Sequence, residues 1–343
     1  MQINYNYISN KIARNDIKEY KKLYPKLGKI NILEIISLGG LIFVFFAFCF
    51  INISSQLDFL NPKYTLYYLL PVSVILTIVL IRVFQGRYNL IKNLRLDKFS
   101  ASNNFAYIPI VQKPEESGTM FNIMYDHFSY DVIRSKSKRF FEIGNHEYDS
   151  GSNENQNGIK TFQFGYIKIQ LDRNLPHIVL DSKRNNSSLP VSFKENQVLS
   201  LEGDFDSSFT LYAPKNYERD ALYIFSPDLM SLFIDELGCY DAEIIDNNLF
   251  IYSKKPLKLL DQNTLRRIFN IIDVVGNKTI SQTNNYSDGN VAARSMNFVA
   301  EAGSRLKKRI SNSAIFLIIV FIIVFGFNIL IQFIPSVVKL FMK

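Results

Sequence analysis

A chain of 343 residues has room for two average domains, and 39 Lys and Arg against 31 Asp and Glu give it a net charge of +8. That charge does not mark a nucleic-acid binder: residues 99–293 hold 19 basic and 25 acidic groups, a balance that would repel a phosphate backbone. Two cysteines, Cys49 and Cys239, exclude a disulfide framework in the folded part.

Residues 1–30 form a basic arm with seven Lys or Arg against Asp16 and Glu19. Ile8, Ile12, Tyr20 and Leu23 fall loosely at helical spacing, which suits either an interfacial amphipathic helix ending near Pro25 or a solvated arm. Three nearly uncharged stretches follow, at 35–53, 64–84 and 314–334. Each approaches the roughly 20 apolar residues that cross a bilayer. The first two predict a transmembrane hairpin over 31–85, and the third a C-terminal span. Basic clusters flank them: Lys18, Lys21 and Lys22; Arg87, Lys92 and Arg95; Lys307, Lys308 and Arg309. Positive charge stays on the cytoplasmic side. The expectation is therefore a multi-pass protein of the cytoplasmic membrane, with its N-terminus and main domain inside and its C-terminus outside. The basic clusters would then meet anionic lipid, at about 1 kcal/mol per group.

Residues 99–276 carry the folded domain. "MFNIMY", "YDVIRS", "RFFEIGNHEY", "FQFGYIKIQL" and "HIVLDS" have the apolar patterning and β-branched content of strands, with a polar loop at 150–158. "DALYIF" suits a further strand. Ser226 and Pro227 then open a helix whose stripe is Leu229, Met230, Phe233, Ile234 and Leu237, with Gly238 as a left-handed stop. "AEII" and "LFIY" around "DNN" predict a hairpin. A helix over 264–275 stops at Gly276, and a linker with a basic helix fills 277–312. The fold class expected is an α+β cytoplasmic domain, mostly antiparallel strands with two or more helices, on a three-helix membrane anchor.

The chemistry is sparse. His127, His146 and His177 lack metal-ligand spacing, and His146 and Glu147 point to opposite faces of a strand, so no metal is implied. Cys239 follows a helix C-terminus, where the dipole disfavours a thiolate, and suits a buried apolar site. No phosphate loop, nucleophile elbow or cofactor motif occurs. What remains is an acidic and basic patch of Asp204, Asp206, Glu218, Arg219 and Asp220. It serves either as a turn-fixing surface cluster, with Arg219 pairing Asp204 or Asp206, or as a recognition rim.

The stretch "LEGDFDSSFTLYAPKNYERDALYIFSPDLMSLFID" resembles a family of uncharacterised bacterial membrane proteins with a domain of unknown function. Asp204, Phe205, Phe209, Tyr212, Glu218, Arg219, Tyr223, Pro227, Leu229 and Met230 fill that family's pattern, and "LPHIVLDS" is similar to its preceding strand. The resemblance implies an N-terminal membrane hairpin and a cytoplasmic α+β domain, with no activity attached. The functional expectation is a non-enzymatic protein-binding, scaffolding or sensing module at the membrane. Its partners would be anionic lipid, an unidentified protein and possible further copies of itself, with no cofactor. The rival is a membrane-anchored hydrolase or transferase using the acidic residues of 204–220.

Overall fold

The computed structural model describes residues 1–24, 40, 62–122, 126–149, 161–185, 189, 191–201, 203–291, 297–309 and 325. These belong to two compact units, one built from Met1–Pro114, Asp126–Ile167 and Lys255–Asp273, the other from Glu115–Tyr125, Lys168–Lys254 and Val274–Lys343. The α+β class holds, with strands mostly antiparallel and helices around them.

In the first unit β1 (Phe105–Gln112), β2 (His127–Ser135) and β3 (Phe141–Asp149) pair antiparallel in sequence order, followed by residues 161–167 of β4 (Thr161–Ser182). The helix Pro62–Ser102 packs on β1 and buries Leu94, Leu96 and Phe99. The helix Gln262–Ile271 sets the Phe269 ring 6.1 Å from Phe99, 5.6 Å from Phe105 and 5.9 Å from Phe141. Such pairs add about 0.5–1.5 kcal/mol each beyond their burial. Near the N-terminus the helix Arg14–Leu23 buries Tyr20 on Leu90 and Leu94, with Ile12 and Ile17 beside it. Arg95 Nη1 ties this arm down by donating to the Tyr7 and Ile8 carbonyls at 3.1 and 2.7 Å. Of the arm's apolar face, Ile8 and Tyr20 are buried against protein, while Leu23 is 73% exposed.

The membrane anchor is corrected. Among the described residues no helix is long and apolar enough to cross a membrane. The stretch 64–84 lies within a 41-residue helix whose later half carries Arg82, Arg87, Lys92, Arg95 and Lys98 and packs into the first unit. Its apolar run is thus one end of a charged domain helix. The stretches 35–53 and 314–334 lie outside the described residues, apart from Gly40 and Phe325, as does the loop 150–158. The three-helix anchor, the multi-pass cell-membrane location and the topology deduced from it lose their basis.

In the second unit residues 168–182 of β4 pair with β6 (Phe209–Tyr212), β6 pairs with β5 (Val198–Leu199), and β7 (Asp241–Ser253) pairs with β4. The helix Pro227–Leu237 buries Leu229, Phe233 and Leu237, and Phe205, Phe209, Phe225 and Phe233 form a chain of ring contacts.

Several local expectations give way to packing. "DALYIF" is helical, within Glu218–Ile224, because Tyr217, Ala221 and Ile224 bury at helical spacing while Leu222 and Tyr223 stay exposed. The "DNN" turn is absent: β7 runs on, and only Asp246 takes a left-handed φ of 53°, one residue short of reversing the strand. Gly238 is right-handed at φ −53°, and a Cβ there would meet Ile234 O at 2.8 Å and Arg184 Nη1 at 2.9 Å. Gly276 likewise stops nothing, since the helix Asn277–Thr283 follows a π-turn at Ile272–Gly276. The start of "MFNIMY" falls in a 3-10 turn at Thr119–Phe121 and its residues 123–125 lie outside the described residues, while "FQFGYIKIQL" and "HIVLDS" are one strand, β4. Among the described residues of the basic helix expected before residue 310, Glu301–Ser304 is helical; residues 292–296 lie outside the described residues. Residues 307–309 run antiparallel to 192–194, with Arg309 N donating to Ser192 O at 2.7 Å.

Candidate functional site

A cavity of about 610 Å³ lies in the first unit between the helix Pro62–Ser102, β2, β3 and the loop 256–261. Its size falls in the range of small-molecule sites. Tyr88, Lys92 and Leu96 recur every four residues, so one face of the helix supplies one wall. Tyr130 and Asp131 supply another, although consecutive residues of a regular strand point to opposite faces. A register shift between Tyr130 and Ile133, with Asp131 at φ 53°, turns both toward the cavity. Bulges re-aim side chains in this way. Holding a non-glycine residue there costs of order 1–3 kcal/mol, a strain that concentrates at functional sites.

Each oxygen of Asp131 then accepts one hydrogen bond. Its Oδ2 accepts from Lys92 Nζ at 2.8 Å and its Oδ1 from the Tyr107 hydroxyl at 3.0 Å. The Tyr107 phenol also lies 2.9 Å from Asn93 Oδ1, so its single proton serves one of the two acceptors at a time. Burial, and then the Asp131 charge, raise the Tyr107 pKa; the same two causes push Tyr130 up to about 12. Opposite, Asn145 stands in for a strand: its Oδ1 accepts from Leu257 N at 2.6 Å and its Nδ2 donates to Leu257 O at 3.3 Å. Asp261 caps the helix Gln262–Ile271 by accepting from the Thr264 hydroxyl at 2.7 Å and from Thr264 N at 2.8 Å, and these bonds, the hydroxyl first, hold its carboxyl below the usual range. The loop is thereby fixed at both ends.

A second buried carboxylate, Glu243 in the second unit, is sealed. It accepts from Thr119 N at 2.8 Å, the Thr119 hydroxyl, the Tyr252 hydroxyl at 2.7 Å and His177 Nε2 at 2.7 Å. Leu306 N donates to His177 Nδ1 at 2.9 Å, so the imidazole is neutral and carries its proton on Nε2. Burial alone would raise the Glu243 pKa, but the hydrogen bonds from His177, Thr119 and Tyr252 outweigh it and lower it. With side chains only 3% and 1% exposed, His177 and Glu243 have no route to a substrate and act as a structural knot.

The residues singled out by sequence are dispersed over local roles. Asp206 accepts from the Ser200 hydroxyl and from Leu201 N at 3.1 Å, within the second unit. Asp204 precedes the short helix Phe205–Ser208. Glu218 Oε1 accepts from Asn216 N at 3.2 Å, and Asp220 Oδ1 from the Tyr286 hydroxyl at 2.8 Å. Burial raises the Asp220 pKa. Among the described residues Arg219 makes no salt bridge, so the pairing expected with Asp204 or Asp206 is absent. Lys18, Lys21, Lys22 and Arg87 are exposed, whereas Lys92 and Arg95 are structural. Lys307 and Lys308 enter backbone contacts with 193–197, and Arg309 meets Glu195 at 3.0 Å. Cys239 is exposed, not buried.

The His127 and His146 rings approach to 5.3 Å, and Ser129 Oγ lies 2.9 Å from His146 Nδ1. Burial, then His127, lowers His146 to about 3. Among the described residues no group of three or more His, Cys, Asp or Glu is placed to hold a metal. Of the cavity, only the spacing of Tyr88, Lys92 and Leu96 was visible in the sequence; nothing signalled the bulge at Asp131.

No protein-family profile matches the chain and no curated protein matches it. Among solved structures, the crystal structure of the mycobacterial trehalose monomycolate transport factor A, TtfA, is similar at 12% identity and a TM-score of 0.33, over 52% of this chain and 93% of that one. A likeness that distant carries no argument.

Proposed function

We propose that this chain is a non-enzymatic binding module of the sensing kind, whose first unit takes up a small ligand in the cavity beside Lys92 and Asp131. The observation that carries the reading is the left-handed Asp131 at the β2 register shift, a strained conformation that brings a carboxylate to the wall of a ligand-sized space. Ordering the loop 256–261 through Asn145 and Asp261 favours uptake without rearrangement. A ligand-observed NMR screen of small polar and amphipathic compounds on the full chain tests this, with Leu260→Trp, which fills the cavity from a partly buried lining position, as the control. Hits are expected to bind the parent chain and lose at least tenfold in affinity to Leu260→Trp. Hits that bind both equally place the ligand elsewhere and sink the reading.

A further inference from the structure

We propose that the second unit holds a hard divalent cation, Mg²⁺ or Ca²⁺, among Asp181, Asp241 and the side-chain amide of Asn185. The site is separate from the cavity of the first unit and does not depend on it. Its residues lie where β4 ends and β7 begins. Asp241 is fully buried, and its Oδ1 accepts from Ser182 N at 2.8 Å and from Asn185 Nδ2 at 2.7 Å. The Ser182 hydroxyl donates to Gly238 O at 2.6 Å and ties down the turn that leads into β7. The Asp181 carboxyl also meets Asp241 in a hydrogen bond. One buried carboxylate thus gathers the other two side chains around it.

Two oxygens of this cluster lack a donor. Asp181 Oδ1 and Asn185 Oδ1 are shut off from solvent and accept no hydrogen bond. Asn185 is only 8% exposed, and its amide orientation is fixed, because turning it over would set Oδ1 against Asp241 Oδ1. Its amide oxygen therefore lies no more than about 5 Å from Asp241 Oδ1, given the 2.7 Å bond and the width of an amide. A buried acceptor without a donor costs about 1–3 kcal/mol, and a cation removes that cost. Charge points the same way. Burial, then Asp241, raise Asp181 to about 6, so near neutral pH the pair is ready to exchange its proton for a metal ion. The neighbouring ammonium groups are directed at main-chain carbonyls, Lys254 Nζ at Asn185 O at 2.9 Å and Lys183 Nζ at Asp206 O. Two carboxylates and an amide suit Mg²⁺, which takes one or two carboxylates and keeps water, or Ca²⁺, which accepts carboxylate and amide oxygens alike. With no nitrogen or sulfur ligand in the set, zinc and copper are disfavoured.

Calorimetric titration of the EDTA-treated, desalted full chain at pH 7.5 with MgCl₂ and CaCl₂ in turn tests the site, with thermal unfolding measured alongside. At least one of the two is expected to bind at one ion per chain and to raise the unfolding midpoint by several degrees at saturation. Asp181→Asn keeps a donor facing Asp241 and removes the repulsion of an ionised pair. The metal-free variant should therefore unfold no earlier than the metal-free parent at this pH. It should nevertheless bind the ion at least tenfold more weakly and lose the thermal shift. Asn185→Ala, which removes the amide oxygen, should weaken binding about threefold to tenfold. If neither ion binds the parent, the proposal fails and buried water serves the two oxygens. Binding that survives Asp181→Asn unchanged belongs to carboxylates elsewhere and sinks it equally. An Asn185→Ala chain that binds like the parent overturns the place of the amide in the ligand set.

Discussion

Asp131 in the first unit and Glu243 in the second each accept a tyrosine hydroxyl, at 3.0 and 2.7 Å, and each sits on a strand. Their surroundings differ in kind. Asp131 is balanced by a lysine, held in a strained backbone conformation and bordered by open volume. Glu243 is surrounded by neutral donors, lies on unstrained backbone and meets no space. A buried carboxylate whose donors all belong to the protein closes a structure. One that accepts a single hydrogen bond on each oxygen and borders open volume keeps acceptor sites for a further donor.

The contrast can be broken most forcefully at Glu243. Glu243→Gln replaces one acceptor oxygen by an NH2 group that faces two of the four donors, and should cost about 3 kcal/mol, concentrated in the second unit. Native-state hydrogen exchange resolves it region by region, which suits a chain of two units. A loss below 1 kcal/mol would mean that the knot is dispensable.

Acid should then separate the units. His146, lowered to about 3, binds fewer protons folded than unfolded between there and its ordinary value near 6.5. Its contribution is present above 6.5 and is lost as pH falls, by about 2 kcal/mol between pH 6.5 and 5. Asp181 in the second unit has the opposite sign: burial, then Asp241, raise it to about 6, so the folded state holds the extra proton. Its stabilisation is full below about 4 and is lost as pH rises through 6, on the order of 1 kcal/mol after solvent screening of a partly exposed group. Exchange profiles at pH 5 and 7 should move oppositely around these two residues. His146→Phe should flatten the first change and Asp181→Asn the second.

Strain at Asp131 is the next smaller effect. Asp131→Gly and Asp131→Ala both lose the Lys92 partner, but only alanine must hold φ near 53°. Chemical denaturation should find the alanine variant about 1 kcal/mol less stable than the glycine one. Equal stabilities would show that the bulge relaxes and that the strain argument fails. Smallest of all, Lys278→Ala breaks a 3.0 Å bridge to Asp228, whose side chain is 79% exposed, and should change stability by less than about 0.5 kcal/mol.

Much of the helix pattern was legible because it is local. The 3.6-residue recurrence of Leu229, Phe233 and Leu237, and of Leu265, Ile268 and Phe269, predicts which faces bury, whatever they bury against. Short apolar runs were not legible. "DALYIF" fits strand or helix equally, and only the burial of Tyr217, Ala221 and Ile224 decides it. Glycines misled for a related reason: Gly238 and Gly276 answer close packing by Arg184 and Ile169, contacts that no local pattern reveals. The run 64–84 misled most, since apolar length alone does not distinguish a span from the end of a long domain helix.

The sequence by itself determined the α+β class, the amphipathic helices and the absence of familiar catalytic motifs, because composition and periodicity are properties of neighbours along the chain. Only the tertiary structure decided that Lys92 belongs to Asp131, that Asn145 braces Leu257, and that His177, Thr119 and Tyr252 meet at Glu243. These partners lie 39 to 124 residues apart, or in the case of Tyr252 nine residues along the same strand. Burial makes them necessary, because a charge taken out of water must find its donors wherever the fold brings them.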